Sequence, residues 1–214
     1  MSTGTDDPMD MLASLGAATL GESGAQVMPP RIRPAWLGAR VVGPAYPVRC
    51  TPGDNLAIHV AVTRAPAGSV LVVDVGDVAE RGYWGEVLTT GALAREIGGL
   101  VIDGGVRDVA ALEALDFPVF SRTIALRGAT KTARGSVGVP VVVAGVPVVP
   151  GDWVVGDVDG VVVVPGGRLA EVIDAGRSRL SAEIGYFAAL RDGATTVGIL
   201  GLDAGLIEDG DPTA

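Results

Sequence analysis

The chain has 214 residues, with 16 lysines and arginines against 25 aspartates and glutamates, and a formal net charge of −9. This acidic balance argues against a nucleic-acid partner, because proteins that bind phosphate backbones present a basic face. The single cysteine, Cys50, excludes a disulfide framework or a cluster of thiolate zinc ligands within one chain. A reducing cytoplasm is therefore the expected location, with small molecules or proteins as partners.

The composition is that of a soluble α/β domain. Hydrophobic residues make up 48% of the chain, aromatic residues only 4%, and glycines number 32, which favours valine-rich strands joined by tight turns. The apolar runs are broken by Pro and Gly before they reach the roughly 20 residues that a membrane helix needs. We expect one domain over residues 1–214, with a core over about 30–200 and mobile ends at 1–8 and 203–214.

The first third of the chain reads as a helix at residues 9–20, a Gly- and Pro-rich connection at 24–34, and strands at 39–42, 45–49 and 69–75. The sequence at 52–55 predicts a turn that could also begin a helix at Asn55. His59 follows in the alternating run AIHVAV, which favours a strand. A structurally satisfied histidine is the default interpretation there, and a catalytic one is the minority case.

The stretch from Tyr83 to Phe120 organises the rest. Its sequence predicts a helix at 88–97, a stop at Gly98 and Gly99, a short buried strand at 100–102, and a turn at 103–105. Arg107 and Asp108 come just beyond that strand, at the end where open α/β sheets place their ligand sites. Glu86 precedes Arg107 by twenty intervening residues, enough for one helix and one strand to run out and back. We therefore expect Glu86, Arg107 and Asp108 to share one rim.

These three side chains suit a particular chemistry. Two carboxylates can hold a hard divalent cation and its waters, while a guanidinium binds a carboxylate through two parallel hydrogen bonds. Such a rim would take an anionic substrate that also carries a carbonyl group. A surface salt bridge at a helix start is the simpler alternative for an isolated Arg-Asp dipeptide.

The remainder of the chain is mostly β in character and ends in a helix. Strands are predicted at 117–121, 139–143, 146–149 and 161–164, with turns at 150–152 and 157–160, and such strands pack as a closed or sandwiched sheet. The aspartates of these turns fit Asx turns better than a calcium loop, since the other ligands are missing. A helix is predicted at 168–190 and ends before Gly193. The helical spacing of its apolar residues implies that it packs against another part of the protein.

Three runs together resemble a known family. They are PGDNLAIHVAV (52–62), GYWGEVLTTGALAREIGGLVIDGGVRDV (82–109) and FPVFSRTIALRGATKTARGSVGVPVVVAGVPVVPGDWVVGDVDGVVVVP (117–165). They are similar to the RraA-like superfamily, in its branch of 4-carboxy-4-hydroxy-2-oxoadipate and 4-hydroxy-4-methyl-2-oxoglutarate aldolases. The resemblance covers roughly residues 30 to 200.

The resemblance implies both a fold and an activity. The fold is α/β, of the swivelling phosphohistidine-domain type, a β-rich sandwich or barrel with flanking helices. The activity is that of a class II pyruvate aldolase, which uses Mg²⁺ or Mn²⁺, cleaves a 4-hydroxy-2-oxo acid and also decarboxylates oxaloacetate. The resemblance further implies homotrimers or homohexamers whose sites lie between subunits.

The resemblance also implies roles for individual residues. Asp108 corresponds to the direct metal ligand, Glu86 to the acid that holds metal-bound water, and Arg107 to the group that binds the substrate's carboxylate and keto oxygen. The backbone N–H groups of Val87 and Leu88, just after Glu86 at a helix start, correspond to the family's anion cradle, and Gly85 is a further substrate-binding candidate.

Two positions depart from the family pattern. The family's aldolases use a further glutamate from the carboxy-terminal helix of a neighbouring subunit, and Glu183 is the nearest candidate here, displaced by about one position. Many relatives also carry an acid where this chain has Ala111.

Two other functions remain to be weighed. Relatives that act as non-enzymatic, protein-binding regulators of a ribonuclease lack the acid at the position of Glu86, which this chain keeps. A methyltransferase role, a label sometimes given to such sequences, has no Gly-rich cofactor loop to support it.

Overall fold

A computed structural model of the protein describes residues 7–208, so residues 1–6 and 209–214 of the two predicted mobile ends lie outside it. At the first of these ends, Asp7 caps the first helix by accepting a hydrogen bond from the Met9 N–H at 3.0 Å. The helices that follow in chain order are α1 (Pro8–Glu22), α2 (Leu56–Arg64), α3 (Glu86–Leu93), α4 (Val109–Ala114), α5 (Leu169–Arg191) and α6 (Thr196–Leu200), with short 3-10 turns at Gly166–Arg168 and Ala204–Leu206.

The strands are short and rich in valine. They are β1 (Gln26–Val27), β2 (Arg33–Pro34), β3 (Val41–Arg49), β4 (Val70–Asp74), β5 (Gly82–Trp84), β6 (Gly99–Val106), β7 (Val119–Ile124), β8 (Ser136–Val137), β9 (Val141–Val143), β10 (Val146–Val148), β11 (Trp153–Asp157) and β12 (Gly160–Val164). The large number of β-branched side chains fits a pleated, buried surface.

Within residues 7–208, ten strands form one mixed sheet whose main path is β1-β12-β11-β3-β4-β6-β7-β2. Its centre is parallel, since β3, β4, β6 and β7 run in the same direction and β5 joins β6 in parallel. Helices α2, α3 and α4 connect these parallel strands, as parallel pairing requires a crossover. The carboxyl ends of the parallel strands therefore all meet at one edge.

The sheet curls so that β2, at one end, comes close to the turn before β12, near the other end. The Arg33 guanidinium on β2 donates to the Asp159 carbonyl oxygen, beside β12, at 3.0 Å. The concave face holds a buried cluster that includes Val101 and Phe120, and the β9–β10 hairpin adds Val141 and Val148 to it. Apolar side chains thus fill the inside of a half-barrel.

Helices cover the outer face of the sheet in two groups. Helices α2 and α3 contribute Ile58 and Leu88 to a buried cluster that also contains Leu100 of β6. On the antiparallel side, α1 and α5 cover β11 and β12, and Leu12 and Val172 are fully buried there. The predicted α/β fold, a β-rich sandwich or barrel with flanking helices, is confirmed.

The sequence prediction was wrong about residues 103–105, which continue strand β6 instead of forming a turn. All eight residues of β6 are buried, and Gly104 and Gly105 supply the space that close neighbours require. A register shift between Ile102 and Gly105 marks a bulge in the pairing with β7. The turn-forming residues thus serve a bulged central strand.

His59 lies on helix α2 and not on a strand, so the interpretation of AIHVAV was wrong. The alternative, a helix beginning at Asn55, is confirmed, because Asn55 is the N-cap of α2. Alternation of small apolar residues is compatible with a helix whose one side is buried and whose other side is exposed. Strand β11 and helix α4 are two further elements that the prediction missed.

Helix α5 agrees with its predicted bounds to within a residue, but only its first half is buried. Gly176 lies close to Leu15 of α1, whereas Ile184 and Phe187 in the second half are exposed. The second half packs against α6 instead of the sheet. No helix of residues 7–208 is long and apolar enough to cross a membrane.

Candidate functional site

A cavity of about 320 Å³ opens at the carboxyl ends of the parallel strands. This is the edge at which ligands bind in α/β sheets. Its walls come from the segments that follow β3, β5, β6 and β7, and the lining residues are Asn55, His59, Gly82, Tyr83, Trp84, Gly85, Val87, Leu88, Arg107, Asp108, Gly128, Ala129 and Lys131. The cavity therefore combines polar groups from four separate stretches of the chain.

Strand β6 delivers Arg107 and Asp108 to the cavity. The Arg107 N–H donates to the Trp84 carbonyl oxygen at 2.9 Å, which extends the pairing with β5. Asp108 then takes left-handed backbone angles, φ 57° and ψ 36°, and becomes the N-cap of α4. Such a conformation is uncommon for a residue other than glycine, although aspartate adopts it more readily than most. It turns the chain abruptly at the end of the strand.

The Asp108 carboxylate joins the two halves of the predicted rim. Its Oδ2 accepts a hydrogen bond from the Glu86 N–H at 3.1 Å and lies 3.7 Å from Arg107 Nε. Glu86, Arg107 and Asp108 therefore lie next to one another, as the sequence predicted. The Glu86 side chain is exposed and is not among the cavity-lining groups, whereas Arg107 and Asp108 line the cavity with side chains 44% and 42% exposed.

Gly85 allows the Asp108 carboxylate to lie against the start of α3. A Cβ atom at Gly85 would be 2.3 Å from Asp108 Oδ2, far inside van der Waals contact. Gly85 also provides no side-chain cap, so the N–H groups of Val87 and Leu88 in the first helical turn point outward without a helical partner. With the positive end of the helix dipole, they make an anion-binding position beside Arg107.

The space around Gly105 is limited by backbone atoms and a methyl group, not by a cavity side chain as at Gly85. A Cβ atom there would lie 2.5 Å from the Arg81 carbonyl oxygen and 2.7 Å from the Ala125 Cβ. Its close neighbours are thus the backbone and a methyl group of adjacent segments. These contacts hold the segment before β5 tightly against β6.

Asn55 and His59 form the floor of the cavity from the first turns of α2. The Asn55 side chain, 5% exposed, donates from Nδ2 to the Tyr83 carbonyl oxygen at 2.8 Å, while its Oδ1 has no partner among the described residues. The His59 Nε2 is also buried without a partner in that part of the chain. Burial and the Lys131 ammonium lower the pKa of His59, against an opposing effect of Asp54. Burial and the Lys131 charge thus both favour the neutral imidazole over the charged form.

Asp54 anchors the segment that carries Lys131. Its Oδ2 accepts hydrogen bonds from the Thr130 hydroxyl at 2.8 Å and from the N–H groups of Thr132 and Ala133 at 2.6 and 3.1 Å. Burial alone would raise the pKa of Asp54, but these hydrogen bonds and one from Leu56 lower it to about 2. One carboxylate thus fixes both sides of Lys131 against the start of α2.

The donor set fits a hard divalent cation that keeps most of its water. No group of three or more His, Cys, Asp or Glu side chains suited to a metal occurs among residues 7–208. Asp108 nevertheless presents an accessible carboxylate on the cavity wall, and Mg²⁺ in proteins is commonly held by one or two carboxylates plus waters. Asp108 would bind the ion directly, and the exposed Glu86 carboxylate lies on the adjoining helix turn for an outer-sphere role.

Within one chain, Glu183 is not part of this cavity. It lies on α5, where its Oε1 is 3.0 Å from Arg179 Nε, and it lines a separate cavity of about 550 Å³ between α5 and α6. Its assignment to the site of a neighbouring subunit stays a prediction.

Sequence reasoning missed Asn55, His59 and Lys131 as cavity residues. The run PGDN at 52–55 was a usable signal for the first, because it ends a β-strand region and begins a helix. Lys131 had no local signal, since only the fold brings its loop to the cavity.

Comparison with known proteins identifies a matching family model and a similar named relative. A family model described as RraA-like, Aldolase/RraA, matches residues 10–163. The chain is 36% identical over 166 residues to a protein of Halalkalibacterium halodurans named "Putative 4-hydroxy-4-methyl-2-oxoglutarate aldolase", and the match covers 78% of this chain and 79% of that one.

Two solved structures are similar over most of their length. An uncharacterized protein from Pseudomonas syringae pv. tomato has a TM-score of 0.80 at 31% identity, covering 93% of this chain and 98% of that chain. RraAS2 of Streptomyces coelicolor, described as an unusual member of the RNase ES inhibitor RraA protein family, has a TM-score of 0.74 at 26% identity, covering 87% and 98%.

Proposed function

Because the chain belongs to the RraA-like (Aldolase/RraA) family, we propose that it is a divalent-metal-dependent, class II aldolase. It cleaves a 4-hydroxy-2-oxo acid, such as 4-hydroxy-4-methyl-2-oxoglutarate or 4-carboxy-4-hydroxy-2-oxoadipate, to pyruvate and a second oxo acid. It also decarboxylates oxaloacetate. The observation that supports this best is that Arg107, Asp108 and Lys131 line one cavity at the start of helix α3.

The cationic groups suit a substrate with at least two carboxylates. The Arg107 guanidinium would bind the C1 carboxylate and the C2 oxygen through its planar set of donors, beside the N–H groups of Val87 and Leu88. Lys131, held in place by Asp54, offers a second positive charge on the same cavity wall for the carboxylate at the far end. An acidic protein thus presents a locally cationic binding site.

Cleavage moves electrons toward the C2 oxygen. A base removes the proton of the C4 hydroxyl, the C4 oxygen becomes a carbonyl, and the C3–C4 bonding pair forms the enolate of pyruvate. Arg107 stabilises the negative charge that develops on the C2 oxygen. A bound Mg²⁺ or Mn²⁺ would supply Lewis-acid stabilisation of that same charge. The Glu86 carboxylate, exposed beside Asp108, would order the water through which the proton leaves.

Decarboxylation of oxaloacetate passes through the same enolate. There the C3–C4 pair is released by loss of CO₂, so no hydroxyl proton has to be removed. Arg107 would again stabilise the developing charge, and Asp108 would hold the metal ion that supplies Lewis-acid stabilisation. One site can therefore support both activities.

We further propose that the active form is a homotrimer or homohexamer, with Glu183 of a neighbouring subunit completing the site. The exposed apolar side chains of the second half of α5, such as Ile184 and Phe187, support an interface there. The same exposed surface favours the second candidate function, a protein-binding regulator of the kind named for RraAS2.

One assay separates the two candidates. Pyruvate release is measured from several 4-hydroxy-2-oxo acids and from oxaloacetate, with Mg²⁺, with Mn²⁺ and with excess chelator. The aldolase proposal expects turnover that chelation abolishes and either ion restores. Full activity in excess chelator contradicts metal dependence, and absence of turnover with every substrate favours the regulator.

A further inference from the structure

Arg81, which the proposed reaction does not use, makes one side-chain hydrogen bond within the described residues. Its Nη1 donates to the Gly128 carbonyl oxygen at 2.9 Å. The Arg81 Nε is buried without a partner in residues 7–208, and no carboxylate of that part of the chain forms an ion pair with the guanidinium. A half-buried charge without an acid partner is costly, and arginine cannot lose its charge by deprotonation. The contact with Gly128 is therefore the interaction that needs an explanation.

Gly128 belongs to the segment 127–131, which forms one wall of the cavity. Because Gly128 has no side chain to pack, its position depends on backbone hydrogen bonds. At one end of the segment the Gly82 N–H donates to the carbonyl oxygen of residue 127 at 2.8 Å, and near the other end the Thr130 N–H donates to the Gly53 carbonyl oxygen at 2.9 Å. The bond from Arg81 lies between these two and fixes the peptide group that follows Gly128.

The Arg107 side chain also lies close to Gly128. A Cβ atom at Gly128 would be 3.7 Å from Arg107 Nη1. Glycine adopts a wider range of backbone angles than other residues, so without a donor to hold it the Gly128 carbonyl would be free to turn toward Arg107. An Arg107 donor bound to that carbonyl would no longer be available to a substrate carboxylate.

We propose that Arg81 is a positioning residue for substrate binding, a role that rests on the proposed aldolase function. Arg81 holds the Gly128 carbonyl away from Arg107, so the Arg107 donors stay free for the C1 carboxylate and C2 oxygen of the substrate. Arg81 acts through Gly128 and does not itself touch the substrate. The competing bond forms in the free enzyme and the substrate displaces it. Loss of Arg81 should therefore raise KM and leave kcat nearly unchanged.

Three variants separate this role from a general effect of charge. Arg81→Met removes the donor but keeps an unbranched side chain, and Arg81→Lys keeps a charged donor. Arg95→Met removes one positive charge at an exposed position just after α3. We expect Arg81→Met to raise KM for 4-hydroxy-4-methyl-2-oxoglutarate and for oxaloacetate by roughly tenfold, the factor that corresponds to one charge-assisted hydrogen bond. Arg81→Lys and Arg95→Met should both stay within about threefold of the wild-type KM, because each keeps a donor for the Gly128 carbonyl.

An NMR measurement provides a second readout that does not depend on turnover. Lys131 is the sole lysine of the chain, so labelling with ¹⁵N-lysine gives a single backbone amide signal, and that signal reports on the cavity wall. The signal should shift in Arg81→Met, shift less in Arg81→Lys, and stay in place in Arg95→Met.

Several results would overturn the proposal. They are an unchanged KM in Arg81→Met, an unchanged Lys131 signal in that variant, a fall in kcat at constant KM, or an equal rise of KM in Arg95→Met. Arg81→Gln, with a shorter and neutral donor, provides the same test if Arg81→Met does not fold, and its KM should lie between those of Arg81→Lys and Arg81→Met. Absence of pyruvate release by the wild-type protein contradicts the proposed function itself, whereas the Lys131 signal still tests whether Arg81 holds the wall.

Discussion

Replacing Gly85 with alanine tests whether the position of the Asp108 carboxylate limits turnover. The new Cβ atom would lie 2.3 Å from Asp108 Oδ2, whereas ordinary contact begins at 3.4 Å, so the carboxylate must move by about 1 Å. The backbone at Gly85 is extended, with φ −170°, and any residue can adopt it. The effect is therefore one of side-chain displacement, chiefly of Asp108, with Arg107 Cγ also close to the new Cβ atom at 3.1 Å.

The size of the expected effect follows from that displacement. A shift of about 1 Å in a positioned catalytic group can cost on the order of a hundredfold in rate. We expect kcat/KM for pyruvate release from 4-hydroxy-4-methyl-2-oxoglutarate to fall by roughly that factor, and the Mg²⁺ concentration for half-maximal rate to rise. Because Asp108 is 42% exposed, its movement should change the free energy of unfolding by less than about 1 kcal/mol.

The control is Gly91→Ala, the same substitution on the same helix. A Cβ atom at Gly91 would lie 3.7 Å from the Val62 side chain, an ordinary contact. This variant should keep its activity and be slightly more stable, since alanine favours helix. Turnover by Gly85→Ala within about threefold of wild type, with unchanged metal response, would refute the reasoning.

The remaining predictions concern the charged groups and the assembly. Arg107→Lys keeps the charge but loses the planar fork, so kcat/KM measured by pyruvate release should fall by roughly two to three orders of magnitude while metal binding survives. Asp108→Asn should remove activity at ordinary Mg²⁺ without unfolding the chain, because asparagine also tolerates left-handed backbone, and Glu86→Gln should mainly lower kcat. Near wild-type turnover of every oxo acid by both Arg107→Lys and Asp108→Asn would favour the regulator. The pKa of Asp54 is lowered from 3.8 to about 2, so its stabilising contribution is complete above pH 3.8 and is lost as the pH falls toward 2. The Asp54→Asn variant should have a lower free energy of unfolding than the wild type, measured with urea, and this difference should shrink as the pH falls from 3.8 toward 2. A difference that does not change with pH would contradict the assigned hydrogen bonds. Sedimentation should give a trimer or a multiple of it, and a fully active monomer would contradict the shared site.

Much of the fold was predictable because its strands carry their own signals. The predicted strand at 69–75 and the predicted helix at 168–190 match β4 and α5 almost to the residue. Dense valine between Gly and Pro marks buried strands even without knowledge of their neighbours. The placement of Glu86, Arg107 and Asp108 followed in the same way, from the length of one helix and one strand.

The errors arose where a contact distant in sequence decides the structure. Residues 103–105 have turn composition, but β5 and β7 pair on both sides of them and extend the strand. Lys131 reaches the cavity because Asp54 binds the N–H groups that follow it. The local sequence pattern of either segment contains no information about these distant contacts. The residues that form the floor and one wall of the cavity were therefore missed.

The different neighbours of Gly85 and Gly105 predict how this scaffold can change without losing its fold. The constraint on Gly85 comes mainly from the Asp108 side chain, so it relaxes in any descendant that replaces Asp108 with a smaller residue and leaves only the flexible Arg107 Cγ at 3.1 Å. The constraint on Gly105 comes mainly from the Arg81 backbone and remains whatever the chemistry of the cavity. A relative that is no longer a catalyst should therefore accept other residues at position 85 but keep glycine at position 105. Comparing the two positions would then indicate whether a group of relatives is still selected for turnover.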